Sequence, residues 1–396
     1  MINQISLTTP TFAESLQRYI ELILNYGINL QTDQPLLIKA PVEVSEFVTL
    51  LSERAYQRGS GLITTIYDDP QNLRQRLHFG RQQAIAASSP WLNEGIESAI
   101  GNGVAMLELL APYPTLLSGM PAENIGAAHA AESEGLRKQQ ELLTQGVTNA
   151  CRAPVVTKDW ASQTFPDSSR AEEQLWAILF ALMRVNTDTA LAGWPGHLDE
   201  LDAKSLSYAS NKITSLQLSG PNTDLHVSIA PGSRWVGASK TTVSDIRYLP
   251  SLPAEELFCA LNPAVADGTI TIDQPLALMG ERVTKLQLTF QDGCISKATA
   301  AENLHAFEKL LDLDAGLLHP GELGVVPKSL SNVSTAMPMV DRNQFCHIGL
   351  GASNPACLGE QESRSSSDAT MRIDLNVSLT RVANEQTTLL EVTSEI

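Results

Sequence analysis

Along the first two hundred residues the apolar positions recur at helical spacing in some stretches and run together in others. Leu16, Tyr19, Ile20, Ile23 and Leu24 share one helical face. Thr11 and Glu14 have the spacing of a capping box in front of that face, and Gly27 stands where a left-handed residue would end the helix. A short apolar run at 36–40 gives way to Pro41, after which Val44, Phe47, Val48, Leu51 and Ala55 mark a second helical face ending at Gly59. Residues 62–67 then read as another strand. Strand, helix and strand within about thirty residues predict a parallel βαβ unit, which a helix over 71–87 and a strand over 104–110 continue. Between 136 and 186 two further helices flank a strand at 153–157, and Trp176, Phe180 and Met183 form the apolar stripe of the second.

After residue 205 the texture changes to short β-branched or alternating runs at 213–218, 225–229, 269–272, 283–290 and 294–298. Gln291, Asp292 and Gly293 have the composition of a hairpin turn between the last two. One helix interrupts these strands, with Leu304, Phe307, Leu310 and Leu311 on its buried face. The pattern predicts an α/β amino-terminal domain over 1–205 and a β-rich α+β carboxyl-terminal domain over 206–396, with no internal repeat.

A chain of 396 residues has room for two or three cores, and 43% hydrophobic with 18% charged residues is the balance of a folding globular protein. The formal charge of −17 speaks against nucleic-acid and anionic-membrane partners, whose affinity comes from Lys and Arg. Residues 1–30 lack the basic start and unbroken apolar core of a leader, and no run approaches the ~20 apolar residues of a membrane span, so a cytoplasmic protein is expected. The five cysteines form no CxxC pair and suggest neither a disulfide frame nor a zinc finger. Gly101 and Gly103 precede their strand, where a nucleotide fingerprint would follow it, and therefore read as a turn.

Four segments of the second half set one acidic residue or histidine beside an apolar run: LPAEELF at 252–258, PGELGVVP at 320–327, QFCHIGLG at 344–351 and MRIDLNVS at 371–378. Taken singly they are ambiguous. Glu256, beside Glu255, reads as a solvated charge, whereas Glu322, between a Pro-Gly pair and an apolar strand, reads as a buried carboxylate that needs a cation or donors. His347 fits either a hydrogen-bonded core histidine or a ligand, and Asp374 is open in the same way.

In order and texture these segments resemble the "lPTEEvFt", "lGEvalVp", "CHiAlG" and "HxD" motifs of the thermophilic metallo-aminopeptidases, the group of aminopeptidases T, S and II. The resemblance extends to YIELILNYGINLQTDQPLLIKAP from Tyr19, to GPNTDLHVSIAPGSRW at 220–235 and to VTKLQLTFQDGCISKATAAE at 283–302, and so covers essentially the whole chain. It implies that Glu256, Glu322, His347 and Asp374 are metal ligands in the carboxyl-terminal domain. It further implies one or two divalent ions (zinc, cobalt or manganese), peptide substrates cleaved at the amino-terminal bond, and a homodimer.

Carboxylates and imidazole suit such ions, which polarise a carbonyl and activate water. No catalytic acid or base is assigned. Arg372 stands where the family has its second histidine, and a guanidinium has no lone pair for a metal. Asn354 stands where the family has a tyrosine, and His319 offers a nearby imidazole that reads as a turn residue. Beside the aminopeptidase stands the alternative of a catalytically impaired relative that keeps the fold for ligand binding or assembly.

Overall fold

The computed structural model describes residues 10–113, 115–187, 190–326, 333–335, 337–358 and 371–391. Pro327, the last residue of the second motif segment, lies outside them. The chain is mixed α/β, with one parallel sheet and one large antiparallel sheet.

The capping box forms as its sequence predicts: Thr11 accepts from the Glu14 amide while the Glu14 carboxylate accepts from Thr11 N, opening α1 (Phe12–Leu22). The end of the helix differs from expectation. A π-helical turn, Ile23–Gly27, extends it, and the left-handed residue is Asn29 (φ 45°), two positions beyond Gly27. Gly27 is needed for space instead, because a Cβ there would lie 3.1 Å from Cys151 Sγ.

β1 (Leu36–Pro41), α2 (Ser45–Gln57) and β2 (Ile63–Asp68) form the expected parallel unit. Gly80 breaks the predicted 71–87 helix into α3 (Pro70–Phe79) and the single turn α4 (Gln82–Ile85). A helix without a sequence expectation, α5 (Pro90–Gly101), then leads to β3 (Ala105–Leu110). α6 (Ala122–Thr144) precedes β4 (Ala150–Pro154), which lies three residues earlier than its predicted start, and α7 (Lys158–Thr164) and α8 (Ala171–Leu182) follow. The sheet order is β2-β1-β3-β4.

The long α9 (Ala190–Ser210) also lacks a sequence expectation, because Pro195 sits inside it. Proline cannot donate to the carbonyl four residues back. Tyr26 fills that role: its hydroxyl donates to Leu191 O at 3.2 Å. Trp194 and Leu198 of α9 belong to a core built on the parallel sheet, whereas Leu201 and Tyr208 belong to a second core. Leu249, Leu252, Met339 and Val340 also pack in the first core, so later chain returns to the earlier sheet.

The second sheet begins with β5 (Ser215–Gly220) and β6 (Thr223–Ile229), followed by the short pair β7 (Lys240–Thr241) and β8 (Arg247–Tyr248). Its axis is the 16-residue β9 (Leu257–Ile272), of which only the tail was legible as a run. The predicted 283–290 strand is interrupted: β10 (Leu276–Leu278) pairs with β11 (Glu281–Val283), and β12 (Leu286–Gln291) pairs with β9 and β13 (Cys294–Thr299). Asp292 and Gly293, both with positive φ, make the hairpin turn. Then come α10 (Leu304–Leu313), β14 (Pro320–Val325), α11 (Pro338–Asp341), β15 (Cys346–Gly351), β16 (Arg372–Val377), β17 (Arg381–Ala383) and β18 (Thr388–Glu391). The path is β16-β15-β14-β9-β6-β5-β17-β18, antiparallel throughout, with β12 and β13 attached along β9. Among the described residues no helix is long and apolar enough to cross a membrane.

Candidate functional site

β14, β15 and β16 alternate strictly, with Leu323, Val325, Ile348, Leu350, Leu375 and Val377 on the face that packs into the second core. Glu322, His347 and Asp374 therefore share the opposite face. Glu322 pairs with Gly349, which pairs with Asp374, so two carboxylates flank a glycine across three strands. One row away Gly324 pairs with His347. Both glycines provide room. A Cβ on Gly324 would lie 2.0 Å from His347 Cε1, and one on Gly349 would lie 3.2 Å from Glu322 Cβ and 3.3 Å from Asp374 Oδ1.

Glu256 arrives from the residue before β9. It is buried, not the solvated charge its segment suggests, and so is its neighbour Glu255: Arg184 grips the two Glu255 oxygens at 2.6 and 2.7 Å, and His197 Nε2 stands 3.1 Å away. Burial alone would raise the Glu255 carboxyl, but the Arg184 and His197 contacts outweigh it and hold it below its usual value. The Glu255 amide donates to Asn343 Oδ1 at 2.7 Å, which ties this segment to the turn after α11. Asp341 accepts from Thr335 N at 2.8 Å and anchors α11 in place.

All four residues singled out by the motifs converge. His347, fully buried, turns Nε2 toward Glu322 Oε1 (3.4 Å) and Asp374 Oδ1 (3.9 Å), and Nδ1 toward Glu256 Oε2 (3.7 Å). Two arginines stand among them. Arg372 Nη2 lies 2.5 Å from Glu322 Oε1, 2.6 Å from Asp374 Oδ1 and 3.2 Å from His347 Nε2. Arg342 Nε lies 3.0 Å from Glu256 Oε1, at ion-pair distance but out of line for a hydrogen bond, and its Nη1 is 3.7 Å from Asp374 Oδ2.

Arg342 carries no motif and was missed from sequence. The signal available was a charge five residues before His347 in a mostly apolar stretch. Asn354 touches the cluster through its backbone, N–H to Glu322 Oε2 at 2.9 Å, while its side chain accepts from Ala356 N. His319 takes no part, its Nδ1 lying 2.8 Å from Gly293 O.

Burial would raise every carboxyl here, and the arginines decide where it wins. At Glu256 burial prevails over Arg342 and His347, and the group stays above the usual range. At Glu322 burial is outweighed by Arg372 and His347, and the carboxyl is lowered to about 2. At Asp374 burial is likewise outweighed, chiefly by Arg372, and the carboxyl is lowered. Burial disfavours the Arg372 charge, but Glu322 and Asp374 more than compensate and raise its pKa further.

The donor types suit a divalent metal, but their lone pairs are largely committed. Among the described residues no group of three or more His, Cys, Asp or Glu side chains is disposed to hold one. Of the cluster's buried atoms, Glu256 Oε2, His347 Nδ1 and Arg342 Nε remain without a hydrogen-bond partner among the described residues, and the first two are of the types that bind a metal. The Glu256–His347 side thus keeps two donor atoms of metal-binding type without partners there. On the Glu322–Asp374 side Arg372 occupies the space between the carboxylates, where an ion would otherwise sit.

The chain as a whole matches a class of metallopeptidases. The sequence profile described as thermophilic metalloprotease (M29) matches residues 12–391, and the chain belongs to this family. Aminopeptidase T of Thermus aquaticus is 32% identical over 346 residues, covering 86% of this chain and 85% of that protein. Aminopeptidase T of Thermus thermophilus is 31% identical over 377 residues, covering 94% and 92%. A solved structure, wild-type AmpT from Thermus thermophilus, superposes with a TM-score of 0.87 at 29% identity, covering 94% of each chain.

Proposed function

We propose that the chain is a metal-dependent aminopeptidase that hydrolyses the amino-terminal peptide bond of peptides, with Glu256, Glu322, His347 and Asp374 as its metal-site residues. The observation that carries this is the meeting of those four side chains, three on adjoining strands and Glu256 just before β9, in a chain that belongs to the M29 family. Glu256 and His347 would hold a divalent ion (zinc, cobalt or manganese), which when bound supplies polarisation of the scissile carbonyl and a more acidic water.

The chain's own groups do the positioning. Gly324 and Gly349 let the imidazole and carboxylates approach the backbone, and Arg372 keeps Glu322 and Asp374 ionised and fixed in direction. Glu322, at the centre, touches Arg372, His347 and the Asn354 amide. A division at 205 into an α/β and a β-rich domain, a cytoplasmic location and a homodimer belong to the same proposal.

The experiment is release of a chromogenic amino-acid amide by the purified chain with added cobalt, zinc or manganese, against an N-acetylated control. Release that needs the free amine and disappears in Glu322→Gln is expected, because Gln keeps the shape and loses the central charge. No release with any ion would overturn the proposal. A second reading, a relative that binds ligands without turnover, is favoured by one observation: guanidinium groups already contact all three carboxylates. Saturable binding of peptides without release would select it.

A further inference from the structure

Three acceptors converge on a single nitrogen. Two carboxylate oxygens from different strands, Glu322 Oε1 and Asp374 Oδ1, and the imidazole Nε2 of His347 all face Arg372 Nη2, at 2.5, 2.6 and 3.2 Å. Oxygen and imidazole donors meeting at a point are what a divalent transition ion takes. Here a positive charge already sits at that point, carried by a side chain two residues from Asp374 on the same strand. It cannot deprotonate at any ordinary pH, nor can it diffuse away.

The opposite edge of the imidazole differs. Glu256 Oε2 and His347 Nδ1 lie 3.7 Å apart, both buried and both without a hydrogen-bond partner among the described residues.

The geometry points to Arg372 as a built-in replacement for a metal ion, so that the cluster accepts at most one divalent cation, on the Glu256–His347 Nδ1 side. The charges agree. Three carboxylates against the two guanidinium groups leave one negative charge with His347 neutral. One divalent ion with a bound hydroxide brings the cluster to neutrality. A second divalent ion would leave two uncompensated positive charges in a buried site, unless a guanidinium were expelled.

The one permitted ion also has a competitor. A tautomer with its proton on Nδ1 blocks that nitrogen, and an ion there needs the tautomer with the proton on Nε2, where Glu322 Oε1 stands 3.4 Å away.

This inference rests on the metallopeptidase reading of the cluster, but its test counts ions and not turnover. The full chain is titrated with cobalt(II), followed by its visible absorption, and the bound metal is measured by elemental analysis after gel filtration. The unmodified protein is expected to take up one equivalent or fewer, and Arg372→His to take up one more than the unmodified protein. Two equivalents in the unmodified protein, or no gain in folded Arg372→His, would overturn it. If Arg372→His does not fold, Arg372→Met, which empties the same position, is counted in its place, and the unmodified protein's own count still decides. A chain that binds one ion and hydrolyses nothing would overturn the proposed activity and leave Arg372 in its assigned place.

Discussion

Gly324 permits a sharp test of how the cluster is built. Its backbone angles are ordinary, so Gly324→Ala introduces no conformational strain of its own and acts only through the added methyl group. That methyl would sit 2.0 Å from His347 Cε1 and 2.3 Å from Nδ1, where carbon contacts settle near 3.5 Å, so the ring must retreat by about 1.5 Å. His347 is fully buried and cannot swing into solvent. Overpacking of this kind costs about 1–3 kcal/mol. The displaced ring also leaves Arg372 and Glu322, and a misplacement of that size in a reacting constellation costs on the order of 100-fold in rate.

Gly349→Ala is the internal control. Its methyl meets Glu322 Cβ at 3.2 Å and Arg372 Nε at 3.3 Å, which small adjustments relieve, so less than about 1 kcal/mol is expected. Urea unfolding followed by tryptophan fluorescence gives the stabilities, and amide release gives the rates. If the two alanine variants proved equally stable and equally active, His347 would not be seated against bare backbone at Gly324, and the account of the site would fail.

Other outcomes follow from the charges. Glu255→Gln removes one partner of a buried bidentate pair; because Arg184 is about one-third exposed and recovers some hydration, the loss should be about 2 kcal/mol, below the ~3–5 kcal/mol of a fully buried pair. A urea midpoint identical to that of the unmodified protein would show the pair to be dispensable. The Glu322 carboxyl is lowered to about 2, so its contribution is complete above its unfolded value near 4.5 and is lost as pH falls toward 2. The stability gap between the unmodified chain and Glu322→Gln should therefore shrink by about 3 kcal/mol from pH 6 to pH 2, and a gap independent of pH would contradict the Arg372 pairing.

What could be read from sequence was what neighbours along the chain determine. Thr11 and Glu14 lie within one turn of each other, and the 36–67 unit is set by local periodicity. The Asp292–Gly293 turn needs only its own two residues. The four motif residues were ambiguous singly and became legible only through the order of their segments and the resemblance to a known family. Glu256 was misjudged as solvated because Arg342 and His347, which it meets, come from far along the chain, as do Arg184 and Asn343, the partners of its buried neighbour Glu255, 71 and 88 positions away, separations no window spans. Arg342 was invisible for the same reason: an arginine in an apolar stretch announces a charge, but not the carboxylate it will face. Helix α9 was missed because a proline ordinarily ends a helix, and the Tyr26 hydroxyl that compensates is contributed from 165 positions earlier.

That helix has a consequence for how the whole chain comes apart. Its first turns carry Trp194 and Leu198 into the core under the parallel sheet, and its later turns carry Leu201 and Tyr208 into the core under the antiparallel one. A rod pinned at both ends transmits load. Melting either core frees the turns of α9 seated in it and leaves the rest of the helix to the other core alone, so α9 couples the stability of two sheets that share no strand.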